Sequence, residues 1–444
     1  MKNNYQGLEI VIIGLGETGL SCVNFFLSRG IIPKITDSRL YPPKINRLPY
    51  FIKYCFGRLH DIWILQADLV VVSPGVRLDH PVLLEANKLG IEIIGDIELF
   101  VREVNAPIVA ITGSNGKTTV TQLVAKMAQC AGWNVGIAGN IGIPALNLLS
   151  KQYQLYILEI SSFQLDITYS LNAIAATILN ISEDHMDRYP EGLEQYTRSK
   201  QRIYHNATSC IVNDSDPLTV PVKLKKYASI ISFGVYSSSA DYRIEYYKRS
   251  NWIVVRDEYL FKCCNLQIHN DMYYSNILSA LALSDSVKIP RVASLKALQY
   301  FSGLSHRFQL IYKNREIVWI NDSKATNVAA SSTAIRNVAQ ELPGRLHLLL
   351  GGDSKLADFS ELRYIISQYN INLYCFGRDG LFLTEFGASC IFLTKSMPEA
   401  IYIVSRRAQR KDIVLLSPAC SSLDQFKSFK DRGDLFIYFA KQFG

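Results

Sequence analysis

Charge is sparse in this chain. Charged residues make up 19% of its 444 positions, and 47 Lys and Arg against 39 Asp and Glu leave a net charge of +8. The basic residues are scattered, so no nucleic-acid footprint is expected. A mild positive field suits small anionic substrates instead. No apolar run approaches the roughly 18 residues that span a bilayer, so membrane insertion is not expected. Residues 1–7 carry no apolar h-region, which argues against a secretory signal. The nine cysteines are odd in number and none stands in a C-x-x-C pair. That argues against both a disulfide framework and a zinc site. They read as small buried hydrophobes in a reducing cytoplasm. Neither G-x-S-x-G nor H-E-x-x-H occurs, and there is no short repeat or low-complexity tract.

Apolar material is plentiful at 48%. At on the order of 150 residues per domain, the length predicts about three domains. Strands alternate with helices throughout, so the fold class expected is α/β with mostly parallel, doubly wound sheets. The first block, 1–96, has strand-like runs at 9–13, 33–36 and 68–72. The second, 97–304, has strands at 108–111, 155–158 and 175–179. Its stretch 242–268 alternates and is rich in Tyr, Ile and Val, predicting a small antiparallel sheet. Helices around 273–286 and 293–300 close it. The third, 305–444, opens with a hairpin over 309–320 turning at Lys313-Asn314, then a helix after Thr326 and strands at 347–350, 373–376 and 413–416. A hinge is expected near 304–307, because the polar loops of the third block and the phosphate loop of the second belong to different blocks.

The strongest local signal is Gly113-Ser114-Asn115-Gly116-Lys117-Thr118-Thr119, between a buried strand and an amphipathic helix. Glycines let the backbone wrap a phosphate chain, and the N–H groups at the helix start face the anion. Lys117 would neutralise phosphate and Thr118 would ligate Mg²⁺. The loop is shorter than G-x-x-x-x-G-K-[ST], because Ile111 stands where the first glycine belongs. Glu159 follows the apolar run 155–158 and is placed to supply the one carboxylate Mg²⁺ needs. Its alternative is a helix N-terminal acid.

Gly14-x-Gly16-x-x-Gly19 also follows a strand and opens a helix, with Asp37 downstream. This fits a dinucleotide fingerprint or the diphosphate of a nucleotide sugar. Glu17 sets a carboxylate beside that anion site. The run Asn180-Ile181-Ser182-Glu183-Asp184-His185-Met186-Asp187 follows a central strand, so His185 is a metal or substrate ligand or part of a capped turn. In the third block, 321–327, 351–355 and 417–422 are polar loops after buried strands, more than capping requires. Cys420 lies in one, with no motif marking it as a nucleophile.

Taken in order, these segments resemble the Mur ligase family of peptidoglycan synthesis over essentially the whole chain. The resemblance is carried by 113–119, Gly139-Asn140-Ile141-Gly142, 158–165, 180–189, Lys200 within 199–204, His306-Arg307-Phe308, 321–327, 351–359 and 416–433. The phosphate loop alone is shared with folylpolyglutamate synthetases. The stretch 417–429 narrows the resemblance to members that add D-glutamate.

What the resemblance implies is an ATP-dependent amide ligase joining D-glutamate to UDP-MurNAc-L-Ala through an acyl phosphate, in the cytoplasm and as a monomer. It implies Rossmann-like first and third domains and a central P-loop ATPase-like domain. It also implies residue roles. Gly113, Ser114, Asn115, Gly116, Lys117, Thr118 and Thr119 would hold ATP phosphates. Thr118 and Glu159 would hold one Mg²⁺, and His185 with a CO₂-carbamylated Lys200 a second. Asn270, Arg307 and Asp322 would lie on the adenosine side. Thr326, Lys355, Ser422 and Phe429 would surround D-glutamate. Thr18, Asp37, Ser38, Arg39 and Ser73 would hold the uridine diphosphate, with Asn140 contacting the substrate from the central domain. Two other readings stay open at this point. One is a same-family ligase that extends folate or another peptide stem. The other is an NAD(P)-binding oxidoreductase or sensor, which leaves Lys117, Glu159 and Lys200 without a task.

Overall fold

The computed structural model describes residues 4–314, 316–339, 342 and 344–443. Among them the chain forms three sheets. The first holds five parallel strands in the spatial order Tyr54–Phe56, Lys34–Asp37, Ile10–Ile13, Leu69–Val72, Glu92–Ile94. Ile10–Ile13 and Leu69–Val72 are buried along their whole length. That requires cover on both faces, the reason their sequences are continuously apolar.

The central sheet is larger. Its parallel part runs Ser229–Gly234, Ser209–Asn213, Ala175–Ile178, Ile108–Thr112, Leu155–Glu159, Val135–Gly139. The predicted antiparallel excursion is present as Tyr242–Tyr247, Ser250–Val255 and Glu258–Lys262. It is not a separate sheet. Phe233 and Gly234 pair in parallel with Tyr242 and Arg243, so the meander continues the central sheet at one edge. Alternation reports which face of a strand is buried; it carries no information about which strand lies beside it.

The third sheet runs Gln309–Asn314, Ile317–Asn321, Ile413–Leu416, Leu346–Gly351, Ile371–Phe376, Cys390–Leu393, with only the first pair antiparallel. Its two faces feed two cores. Leu346, Leu348, Leu350, Leu373 and Cys375 enter one, while Leu349, Tyr374 and Phe376 enter the other. The hairpin turns later than expected. Lys313 and Asn314 are still in the ladder, paired with Val318 and Ile317, so these two residues are not the turn; Arg315 lies outside the described residues.

The chain divides into two compact units. One comprises 1–181, 196–266 and 273–301; the other comprises 182–195, 267–272 and 302–444. The first two sheets fall in the first unit and the third sheet in the second. Among the described residues no helix is long and apolar enough to cross a membrane.

Candidate active site

The phosphate loop is built by geometry that only its glycines permit. Ile108–Thr112 ends at Gly113, and the helix Lys117–Cys130 starts after Gly116. Gly113 has φ 148° and Gly116 φ 86°, both in the region L side chains avoid. A Cβ on Gly116 would stand 2.4 Å from Asn276 Oδ1 and 3.1 Å from Leu179 Cδ1. Gly116→Ala is expected to cost on the order of 1–3 kcal/mol, read as a lower urea midpoint. An unchanged midpoint would show that the loop relaxes freely.

Asn180 pins this loop from the next strand end. Its carbonyl accepts the Ser114 N–H at 2.9 Å, its Oδ1 accepts the Asn115 N–H at 2.8 Å, and its Nδ2 donates to the Asn115 carbonyl at 3.1 Å. Two ammonium groups converge on one loop carbonyl. Lys117 Nζ donates to the Gly113 oxygen at 2.5 Å and the Ser114 oxygen at 3.0 Å. Lys200 Nζ donates to the same Gly113 oxygen at 3.0 Å and to Thr112 Oγ1 at 3.4 Å. Lys200 is 1% exposed and lies over the Tyr196 ring. Positive charge is therefore concentrated at the loop, suited to a polyphosphate.

Glu159 ends the neighbouring strand, paired with Ile111. It is buried; Oε1 accepts from Asn140 Nδ2 at 3.0 Å, while Oε2 is buried with no hydrogen-bond partner among the described residues. A buried carboxylate oxygen left so is costly unless a cation completes it. Among the described residues no group of three His, Cys, Asp or Glu converges. A magnesium ion that keeps waters and phosphate oxygens needs no such group.

The Gly14 loop borders a cavity of about 690 Å³. Thr18, Asp37, Ser38, Arg39, Ser73 and Asn140 all line it. A Cβ on Gly19 would stand 1.8 Å from the Gly14 carbonyl, so the helix approaches the strand end closely. Ser73 Oγ donates to that same carbonyl at 3.1 Å. Asp37 accepts the Leu15 N–H at 2.7 Å and is gripped by Arg39. Burial pushes the Asp37 carboxyl up, but the Arg39 guanidinium and two backbone N–H groups outweigh it and hold it below the usual range. Glu17 is exposed and forms an ion pair with Lys44. Its charge is thus countered at the surface. Gln164, Arg77 and His80 also line the cavity, although no sequence motif singles them out as site residues.

The second unit assembles the other candidates. Asp184 forms an ion pair with Lys355 and accepts from Asn327 Nδ2 at 3.4 Å. His185 adopts a left-handed backbone, φ 59°, with Nε2 3.7 Å from Asp184 Oδ2. Asn270 directly precedes the helix Asp271–Ser286. Arg307 and Thr326 are half-buried and Ser422 is buried. Phe429 lies 4.0 Å below Lys324 Nζ, and its carbonyl accepts from Ser323 Oγ at 2.8 Å.

Three loops at the carboxyl ends of the third sheet's strands are tied together by Arg432. Its guanidinium is fully buried and donates to Ser323 Oγ and carbonyl, to the Cys420 carbonyl and, at 3.4 Å, to the Gly351 carbonyl. Burial lowers it to about 10. No sequence signal marked this residue; a lone arginine inside a helix has none. Asp353 and Ser421 bridge two of the loops by their backbones.

Burial pushes the Asp322 carboxyl up to about 7, although the Phe308 N–H, the Ser417 hydroxyl and the charges of Arg307 and Arg432 pull it down. The folded chain then holds this proton where the unfolded chain, with an ordinary value of 3.8, has lost it. Stability from this group is full below about pH 4 and is lost as pH rises toward about 7. Asp322→Asn lacks that loss. Its urea midpoint relative to the unaltered chain is expected to improve between pH 4.5 and pH 7.5, values chosen to bracket roughly that window. A pH-independent gap would contradict it.

Three family models match the chain in order. They are the Mur ligase MurD-like N-terminal domain over 8–95, the Mur ligase middle domain over 111–284 and the Mur ligase glutamate ligase domain over 306–420. The UDP-N-acetylmuramoylalanine--D-glutamate ligase of Blochmanniella floridana is 65% identical across all of both chains. The chain belongs to the Mur ligase family. The Escherichia coli K12 protein of the same name is 51% identical, over 99% of this chain and all of that one. Among solved structures, a pseudomurein peptide ligase type C from Methanothermus fervidus aligns with TM-score 0.64 at 17% identity, over 99% of this chain and all of that one. The MurF ligase of Thermotoga maritima, in complex with ADP, aligns with TM-score 0.62 at 15% identity, over all of this chain and 97% of that one. At such identities these structures establish the Mur ligase fold alone.

Proposed function

We propose that the chain is an ATP-dependent ligase that adds D-glutamate to UDP-N-acetylmuramoyl-L-alanine in peptidoglycan synthesis, acting as a cytoplasmic monomer. The observation that carries this reading is full-length identity of 65% and 51% to relatives named for that reaction. The folate and dinucleotide readings have no comparable support.

The chemistry follows from the substrate. A carboxylate is a poor electrophile because oxide would have to leave. One oxygen of the alanine carboxylate attacks the γ-phosphorus of ATP, and ADP departs. The D-glutamate amine then adds to the carbonyl carbon, and phosphate leaves with that carboxylate oxygen. Catalysis is mostly positioning and charge neutralisation.

In this reading residues 97–304 bind ATP. The N–H groups of 113–119 and the Lys117 ammonium receive its phosphates. The unpartnered Glu159 Oε2 fits a cation, and Thr118, in the first turn of the helix Lys117–Cys130, would add its hydroxyl. Thr118 and Glu159 would hold a Mg²⁺ ion, which would supply charge neutralisation at the phosphates. His185 and a carbamylated Lys200 would hold a second ion. Residues 305–444 supply Arg307 and Asp322 on the adenosine side, joined by Asn270. Thr326, Lys355, Ser422 and Phe429 receive D-glutamate; its carboxylate takes the place of Asp184 on Lys355. Residues 1–96 hold the uridine diphosphate through Thr18, Asp37, Ser38, Arg39 and Ser73, with Asn140 reaching the same cavity.

The mechanism is tested with substrate carrying heavy oxygen in the alanine carboxylate. One labelled oxygen is expected in the released inorganic phosphate. Phosphate without label would rule out the acyl-phosphate route.

A further inference from the structure

The diphosphate reading of the Gly14 cavity poses a problem of charge. The cavity is lined by two carboxylates, Glu17 and Asp37, and two guanidiniums, Arg39 and Arg77. A diphosphate entering it needs cations that are available to it. Arg39 already balances a buried carboxylate. Its Nε and a terminal nitrogen close on the two oxygens of buried Asp37 at 2.9 and 2.7 Å, the strong bidentate arrangement. Glu17 adds negative charge at the mouth, although Lys44 counters it.

Arg77 stands differently. Its guanidinium forks onto Asp79 at 3.0 and 2.6 Å, but both side chains are about half exposed, 47% and 54%. Exposed ion pairs contribute little to stability. The Arg77–Asp79 pair is thus in itself a weak competitor for a phosphate. Arg77 also starts from the right place. The Val76 N–H bonds back to the Ser73 carbonyl at 3.0 Å, and Ser73 Oγ donates to the Gly14 carbonyl. A Cβ at Gly14 would lie 3.5 Å from Val76 Cγ2. The turn that carries Arg77 thus packs directly on the glycine loop.

We infer that Arg77 is a further substrate-binding residue: it releases Asp79 and pairs with the diphosphate of the nucleotide sugar. This rests on the UDP-sugar reading of the cavity. The arrangement gives opposite signs for its two members. Removing the guanidinium weakens the anion, and removing the competing carboxylate strengthens it.

The test is calorimetric titration of the full chain with UDP and, separately, uridine. Arg77→Gln is expected to weaken UDP by about tenfold and to leave uridine unchanged. Asp79→Asn is expected to tighten UDP. The salt dependence of UDP binding becomes shallower in Arg77→Gln, because one phosphate contact is gone. Equal UDP affinity in the unaltered chain and Arg77→Gln overturns the inference. So does a parallel loss of UDP and uridine, which marks a collapsed cavity, or weaker UDP binding in Asp79→Asn. If the unaltered chain binds neither probe, the UDP-sugar reading itself fails and the inference falls with it. That outcome is seen before any substitution is made.

Discussion

Lys117→Met is expected to lower kcat/KM by about a thousandfold, with the fold retained. Lys117 Nζ rests on the Gly113 and Ser114 carbonyls, so the loop already holds it over the place where the proposed phosphates sit. In the reaction, negative charge builds on the transferring phosphoryl group and on the departing ADP. An ammonium fixed beforehand stabilises that charge without reorganising, which is why its removal costs far more than an exposed ion pair would. Lys117→Arg is not expected to rescue, because a planar fork cannot replace a compact ammonium between two loop carbonyls. The measurement is steady-state ATP-dependent ligation alongside the urea midpoint. A variant with unaltered stability and activity within a few-fold of the original would remove Lys117 from the phosphate site.

The second large effect concerns Lys200. Lys200→Met is expected to lose activity by at least about a hundredfold. The reason differs from that at Lys117. Unmodified, Lys200 adds a second ammonium to the Gly113 carbonyl. Carbamylated, it becomes an anion there, which can hold a metal ion rather than repel it. Two signatures separate this from ordinary charge loss. Activity of the unaltered chain should fall when CO₂ and bicarbonate are stripped and return when bicarbonate is restored. Isotopically labelled bicarbonate should give a carbamate signal in the unaltered chain and none in Lys200→Met. Bicarbonate-independent activity with no such signal would leave Lys200 a structural lysine.

Much of this architecture was legible because parallel strands covered on both faces are apolar throughout and stop at abrupt polar loops. The runs read at 9–13, 68–72, 108–111 and 413–416 announced themselves so. The phosphate loop was legible because its glycines sit at positions that no other residue fits, as Gly116 against Asn276 shows. What was not legible depends on contacts distant in sequence. The pairing of Phe233 with Tyr242 joins the meander to the central sheet, yet neither strand's pattern encodes the partner. Arg432 is fully buried against carbonyls from three loops, although arginine in a helix normally reads as a solvated residue. The Asp184–Lys355 pair links positions 171 residues apart. Arg77 belongs to no sequence motif; the turn at Ser73 is what places it at the Gly14 cavity.

One assay decides whether the chain ligates D-glutamate. Phosphate release from ATP is followed with UDP-MurNAc-L-Ala, Mg²⁺ and bicarbonate, adding D-glutamate, L-glutamate, L-lysine or meso-diaminopimelate in separate reactions. Release that depends on D-glutamate alone is the expected result. Release driven by another of these amino acids would keep the family and overturn the substrate, and a folded chain silent with all of them would contradict the ligase reading.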